Sequence, residues 1–222
     1  YRDHKVTKFV PEGYARLFAG KRTHTIPPFN GDGIPAVDAN LRNPRDVAVG
    51  PDGSVYIADT GFARVRRVDR DGIIWTVAGN GVLDVPCDGC VAVETPLARV
   101  QKIDVGPDGT LFILRHEQAG DQKKYEVHKV GTDGIISSVY SPAPIDSHYL
   151  AIRDITVGAD NSLYVAQDTG CSPGNCTGER NQSVLRIWPT GDIEIIAGNG
   201  TAGFSGDGGP AIDAQLYIPN GV

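Results

Sequence analysis

Four cysteines stand in two short runs, Cys87-Asp88-Gly89-Cys90 and Cys171-Ser172-Pro173-Gly174-Asn175-Cys176, and their spacing points most directly to chemistry. Two close-range disulfides would pin surface loops in an oxidising compartment. A Cys-x-x-Cys brought opposite a second pair could instead hold a tetrahedral zinc, and free thiols are the third reading. Redox exchange lacks its context, because neither pair lies between a strand and a following helix. Three Asn-x-Ser/Thr sequons, at Asn175, Asn181 and Asn199, are candidate glycan acceptors. Asp32, Asp38, Asp207 and Asp213 invite a calcium reading, yet one Asp in six residues gives no converging cage of oxygens. The expectation for them is structural. Asp32 and Asp207 cap backbone amides in a glycine turn, and Pro35 and Pro210 begin short helical turns that bury Leu41 and Leu216. The histidines His4, His24, His116, His128 and His148 share no spacing, so a zinc triad is not expected, and no nucleophile elbow or Ser-His-Asp order is present.

The elements that must carry these residues follow from composition and repetition. The 222 residues include 28 Gly and 15 Pro, with 22% charged residues, which fits many turns and short strands in a globular all-β chain. A formal net charge of -6 argues against a phosphate-backbone partner, so no nucleic acid is expected. No run of about 18 apolar residues exists to cross a membrane. The first residue is not Met and no apolar leader opens the chain, which therefore reads as cut from something longer.

Internal repetition is plain. Gly31-Asp32-Gly33-Ile34-Pro35-Ala36 returns as Gly206-Asp207-Gly208-Gly209-Pro210-Ala211, with a weaker copy at Asp88-Gly89-Cys90-Val91-Ala92, giving a period of about 58 residues. Val47-Ala48-Val49-Gly50-Pro51-Asp52-Gly53-Ser54-Val55-Tyr56-Ile57-Ala58 likewise recurs from Ile103 and from Ile155. Each repeat reads as four antiparallel strands with Gly-rich turns, the sequence form of a β-propeller blade. The expected divisions are a partial blade over 1–13, repeats over about 14–72, 73–134 and 135–191, and a partial repeat over 192–222. His4 to Val10 would be a third strand, and the segment from Ile193 to Val222 an outer strand plus the start of an inner one.

The run from Pro44 through Val47-Ala48-Val49-Gly50-Pro51-Asp52-Gly53 to Asp59-Thr60-Gly61 and Arg64-Val65-Arg66-Arg67-Val68 resembles an NHL repeat. Val77-Ala78-Gly79-Asn80-Gly81 and its fuller copy from Ile196 to Ala211 resemble the linking signature of NHL propellers in teneurins and bacterial teneurin-like RHS/YD-repeat surface proteins. The resemblance implies an incomplete arc of about four blades from a larger ring, within a secreted or surface protein. It implies no cofactor and no metal among these residues. In enzymes on related scaffolds the ligands stand at the starts of inner strands. Those positions here are Arg45-Asp46, Gln101-Lys102 and Arg153-Asp154, which read as a charged, ion-paired channel rim.

Links between second and third strands lengthen at Arg115 to Lys124 and Gln167 to Gln182, whereas the opposite turns stay minimal. Loops on a rigid scaffold concentrate recognition, so this loop-rich face is the expected binding surface and the short-turn face the scaffold. The resulting expectation is a non-enzymatic extracellular module that binds a protein or glycan and packs against the rest of its own chain. The competing class is a metal-dependent lyase or hydrolase on a six-bladed ring, with its ligands in further blades. An RNA-binding NHL propeller would need a basic face, and the strand starts mix signs instead.

Overall fold

The computed structural model describes residues 4–21, 28–119, 122–143, 150–168 and 182–222. Its strands pair antiparallel throughout. A leading hairpin joins β1 (Val6–Phe9) to β2 (Ala15–Ala19), and a two-residue strand, β3 (Ile34–Pro35), follows. Blade I comprises β4 (Val47–Val49), β5 (Val55–Asp59), β6 (Arg64–Val68) and β7 (Ile73–Ala78). A second short strand, β8 (Cys90–Val91), precedes blade II, which comprises β9 (Val100–Val105), β10 (Leu111–Ala119), β11 (Gln122–Val130) and β12 (Ile135–Tyr140). Blade III comprises β13 (Ala151–Val157), β14 (Leu163–Asp168), β15 (Ser183–Ile187) and β16 (Ile193–Ala197). Among the described residues these make four sheets of two to five strands with no closed barrel, an incomplete propeller arc.

Local chemistry dictates the tight turns. In the first hairpin of blade I, Gly53 takes φ +79°, and Asp52 accepts hydrogen bonds from the Ser54 amide at 3.0 Å and its hydroxyl at 2.9 Å. These Ser54 bonds hold the Asp52 carboxyl down at about 2. Asp108 with Thr110, and Asp160 with Ser162, repeat the arrangement in the next two blades.

The sequence predicts four strands per blade, and the structure adds a fifth at the rim. β3 pairs with β7 and β8 with β12, so the inter-blade segment covers the outer edge of the blade it leads into. Backbone bonds from Gly33 to Ile74 at 2.9 Å and from Gly89 to Ile136 at 2.8 Å hold it there. β16 forms where expected, but residues 217–222 adopt no strand. Pro35 and Pro210 do precede 3-10 turns, at Ala36–Asp38 and Ala211–Asp213; Leu41 is buried and Leu216 half-buried.

Period-two alternation sends each strand's side chains to opposite neighbours. Ile57, Val68 and Ile74 of blade I pack with Ala19 and Leu41 behind them, while Ala58 and Val65 pack forward against Val105, Leu111 and Ile113 of blade II. Phe112, Leu114 and Val127 continue the series onto Ile155, Leu163 and Val165 of blade III. The blades are thus held by apolar sandwiches between sheets.

A buried polar residue recurs at one register of the second strand in every blade: Asp59, Arg115 and Gln167. Asp59 and Arg66 are fully buried in blade I, 3.8 Å apart, and Arg66 also donates to Asp32 and to the Gly31 carbonyl, each at 2.9 Å. Asp32 therefore does not cap backbone amides as expected; its carboxylate takes Arg66 and the Thr76 hydroxyl because both point into the turn. Burial outweighs both the Arg42 amide bond and the Arg66 charge at Asp59 and pushes its carboxyl up to about 7.

Two predictions follow from this packing. At Gly79, φ is +89° and an added Cβ would lie 2.2 Å from the Ala63 carbonyl oxygen; at Gly72, φ is +78° with open space around it. Gly72→Ala should therefore cost about 1 kcal/mol from backbone strain alone, and Gly79→Ala about 3 kcal/mol because strain and clash add. Urea unfolding of both variants checks this, and equal losses would disprove the close approach. The second concerns Asp59. A carboxyl raised from near 4 to about 7 on folding contributes stability that is full below pH 4 and is lost as pH rises through 7. The stability of the native protein relative to Asp59→Asn should fall across that window, and a pH-independent difference would refute it.

Candidate functional site

The inner strands β4, β9 and β13 lie side by side along the arc, and the residues at their starts share one face. Asp46 accepts the Ile103 amide at 2.9 Å, and Asp154 accepts the Val222 amide at 3.3 Å, so each carboxylate reaches the next inner segment. Asp104, which sequence reasoning did not single out, does the same for the Val157 amide at 2.7 Å and the Thr156 hydroxyl at 3.0 Å. Lys102 lies 3.3 Å from Asp154, and Arg153 grips Asp168 with bonds of 2.8 to 3.1 Å. Burial raises the Asp46 carboxyl, against the Ile103 bond and the Lys102 charge. Among these residues Asp46 and Asp154 bind backbone amides, Lys102 pairs with Asp154, and Arg153 turns to Asp168, a partner the repeat alignment did not indicate.

The segment from Arg115 to Lys124 is not a loop. β10 and β11 continue as a ladder to the pair Ala119 and Gln122, four residues longer per strand than β5 and β6. Alternation of charge explains it. On one face Arg115 pairs with Glu126 at 3.2 Å, and Lys124 meets Glu126 at 2.7 Å and Glu117 at 3.6 Å. The corresponding third-repeat segment lies mostly outside the described residues.

On the opposite face of this hairpin sits His116, only 6% exposed. Its Nδ1 is 2.8 Å from Gln101 Nε2, at the start of β9, and its ring centroid is 5.6 Å from that of Tyr125. Burial, reinforced by the charges of Lys123, Arg99, Arg45 and Arg115, lowers the imidazole to about 4. The ring is therefore neutral across the ordinary pH range. Arg45 and Lys123 make no ion pair among the described residues. The Gln101 amide nitrogen donates to Nδ1, so the neutral ring carries its proton on Nε2, from which it can donate a hydrogen bond to an anion held among these cations. The sequence offered one signal for this site: a histidine alternating with charged residues in a lengthened hairpin.

Cys87 and Cys90 form a disulfide with a Cα separation of 5.8 Å. They occupy the register of Gly31 and Ile34 in the first Gly-Asp-Gly turn, which Arg66 holds instead through the Gly31 carbonyl and Asp32. Cys171, Cys176, Asn175 and Asn181 lie outside the described residues, as do His24 and His148. Asn199 is engaged: its carboxamide donates to the Asp213 carbonyl at 3.0 Å and accepts the Thr201 amide at 2.9 Å. Asn80 makes the equivalent contacts with Glu94 and Val82. Among the described residues no three His, Cys, Asp or Glu side chains are grouped to hold a metal, and no helix is long and apolar enough to cross a membrane.

Comparison with known proteins gives the chain a context. A family model described as the teneurin NHL domain matches residues 14–90. Teneurin-1 of Mus musculus is 28% identical over 217 residues, covering 86% of this chain and 8% of that protein. Teneurin-m of Drosophila melanogaster is 37% identical over 91 residues, covering 38% of this chain and 3% of that protein. This chain therefore spans under a tenth of the length of these relatives. Among solved structures, a streptogramin B lyase aligns over 98% of this chain and 50% of its own, with a TM-score of 0.51 and 17% identity. That likeness is the finding against the expectation of a non-enzymatic scaffold module: the fold is one that an enzyme uses. The chain contains an NHL-type domain related to that of teneurins, at 26–28% identity to teneurin-1 and teneurin-4 over part of its length.

Proposed function

We propose that this arc forms one wall of a lyase or hydrolase on a six-bladed propeller, working on an anionic substrate at the axial rim. The observation that carries the reading is His116, buried, bonded to Gln101 and kept neutral by its surroundings. A neutral imidazole with its proton on Nε2 donates a hydrogen bond to negative charge that develops on a substrate, and the cations that keep the ring neutral are also suited to binding that substrate. Arg45, Arg99 and Lys123 supply the charge that draws an anion to the ring. Gln101 fixes its orientation, and Tyr125 fills the space beside it. The described residues do not fit a metal site, so no step here is assigned to a metal.

The lyase fold relative is compatible with this class of reaction. The lengthened β10–β11 hairpin stands on the same face, and the substrate would enter past it. We also propose that the propeller is extracellular and belongs to a larger teneurin-like or RHS/YD-repeat surface protein. The teneurin match and the Cys87–Cys90 disulfide support that setting.

The test uses the full-length protein against lactones, aryl esters and polyuronates. Turnover of an anionic member should drop by about 10²-fold or more in His116→Gln, with the melting transition unchanged. In the native protein kcat/KM should hold steady down to about pH 5 and fall only as the imidazole of the free enzyme protonates near 4. Full activity in His116→Gln, or no turnover of any of these substrates, would remove the assignment.

A further inference from the structure

The short-turn face, read from sequence as scaffold, carries two cavities at equivalent blade junctions. One, of about 570 Å³, lies between blades I and II and is lined by Asp52, Tyr56, Arg67, Thr76 and Val130, among others. The other, of about 480 Å³, lies between blades II and III; its lining includes Asp108, Phe112, Lys129, Ser138 and Ile187. The two sets match position by position. Both volumes fall in the range of small-ligand sites.

They differ at one cation. In blade I Arg67 reaches back to Asp52 at 2.6 Å, and in blade III Arg186 makes the same bond to Asp160. These clamps tie the third strand to the first turn and use up the charge. In blade II the arginine is replaced by Lys129, which makes no ion pair or hydrogen bond among the described residues. Asp108 accepts the Thr110 amide and hydroxyl at 2.9 and 3.0 Å, as Asp52 does those of Ser54, but it has no clamping cation among the described residues. The second cavity therefore holds an exposed, unpaired ammonium that the first cavity neutralises.

The other walls suit a polyhydroxylated ring. Phe112, Leu163 and Ile187 form a buried apolar floor. Trp188 stands at one side with the Arg186 guanidinium 3.3 Å over its ring, which fixes the indole. Ser137, Ser138 and Asp133 rim the opening, and Asp133 spends one oxygen on the Ile135 amide at 3.0 Å, leaving the other as an acceptor. Apolar floor, aromatic side, hydroxyls and one free cation together match a sugar that carries a carboxylate.

We infer that the groove between blades II and III binds an acidic sugar, with Lys129 on its carboxylate and the rim hydroxyls on its ring oxygens. The inference does not depend on the axial rim, which lies on the opposite face. The test titrates the full-length protein by calorimetry with a galacturonic acid disaccharide, its neutral galactose counterpart and acetate. The acidic disaccharide should bind, and the neutral one should bind about tenfold more weakly or worse. Acetate should bind no better than the neutral sugar, since a bare carboxylate leaves floor and rim unused. Two variants then address Lys129. Lys129→Gln removes the charge. Lys129→Arg supplies a guanidinium that can reach Asp108 as Arg67 reaches Asp52, a pairing that two neighbouring blades already tolerate. Each should lose about tenfold in affinity for the acidic disaccharide while keeping the native melting temperature. Equal affinity for the acidic and neutral sugars, acetate binding as tightly as the acidic disaccharide, absence of binding, or retained affinity in either variant overturns the assignment.

Discussion

An inner propeller strand has a hydrogen-bonded partner on one side only, and the arrangement of this arc depends on how its other edge is satisfied. Left unpaired, the amides along the axis would carry a desolvation cost or invite pairing with another chain. Here side-chain carboxylates do what a neighbouring strand would otherwise do. Asp46 takes the Ile103 amide, Asp104 the Val157 amide and Asp154 the Val222 amide, so each blade is tied to the next at its innermost edge. The tie fixes the angle between adjacent sheets, and that angle decides whether Ala58 meets Leu111, or Phe112 meets Leu163, in the apolar layers between them. The rim's charge pattern follows too. Asp154 holds the Val222 amide with one oxygen and Lys102 with the other.

How much of this was legible depended on whether a residue's partner lay near it in the chain. The turns at Asp52, Asp108 and Asp160 are readable because the bonds that shape them fall within three residues, whereas the clamps from Arg67 to Asp52 and from Arg186 to Asp160 reach across the blade and leave no local mark. The strand starts at Asp46 and Asp154 were readable as positions, since the repeat aligns them, but their partners are amides some sixty residues away whose identity leaves no mark in sequence. Asp104 was missed for the same reason. A length difference between repeats reads as a loop, and here it is the β10–β11 ladder instead. The alternation of Arg115, His116, Glu117 and Gln118 against Lys123, Lys124, Tyr125 and Glu126 carried the contrary signal. His116 was set aside because it has no counterpart in the other repeats, and that singularity is what distinguishes it.

The buried polar register shows that the repeat constrains placement more tightly than chemistry. Asp59, Arg115 and Gln167 hold one register of the second strand; Glu126 and Ser183 stand directly opposite in blades II and III, the latter 3.2 Å from Gln167, whereas in blade I the paired Arg66 lies diagonal to Asp59, opposite Ile57. Acid and base exchange strands between the first two blades, and the third is uncharged. Each solution places complementary groups on adjacent strands, which is what burial demands of a polar site. The blade I version is the least relaxed: Arg66 divides itself between two carboxylates, and Asp59 is left with an oxygen lacking a hydrogen-bond partner.

Blade II gathers the departures from the repeat, and physical reasons connect them. Its long hairpin needs charge on alternate positions to stay soluble and in register, and Glu126 gathers Arg115 and Lys124 to supply it. With Arg115 drawn to that face, His116 must turn to the other, toward Gln101 and the rim. At the far end of the same strand pair, Lys129 stands where blades I and III keep a clamping arginine, and its ammonium stays in solvent. A scaffold under packing constraint alone has no reason to give up that clamp, because Asp108 is already in place to receive it. The two ends of one hairpin therefore depart from the repeat in opposite ways, one burying a neutral imidazole among cations and the other freeing a cation at a groove. Blades I and III keep the repeat pattern at the clamp, and their packing supports blade II from both sides.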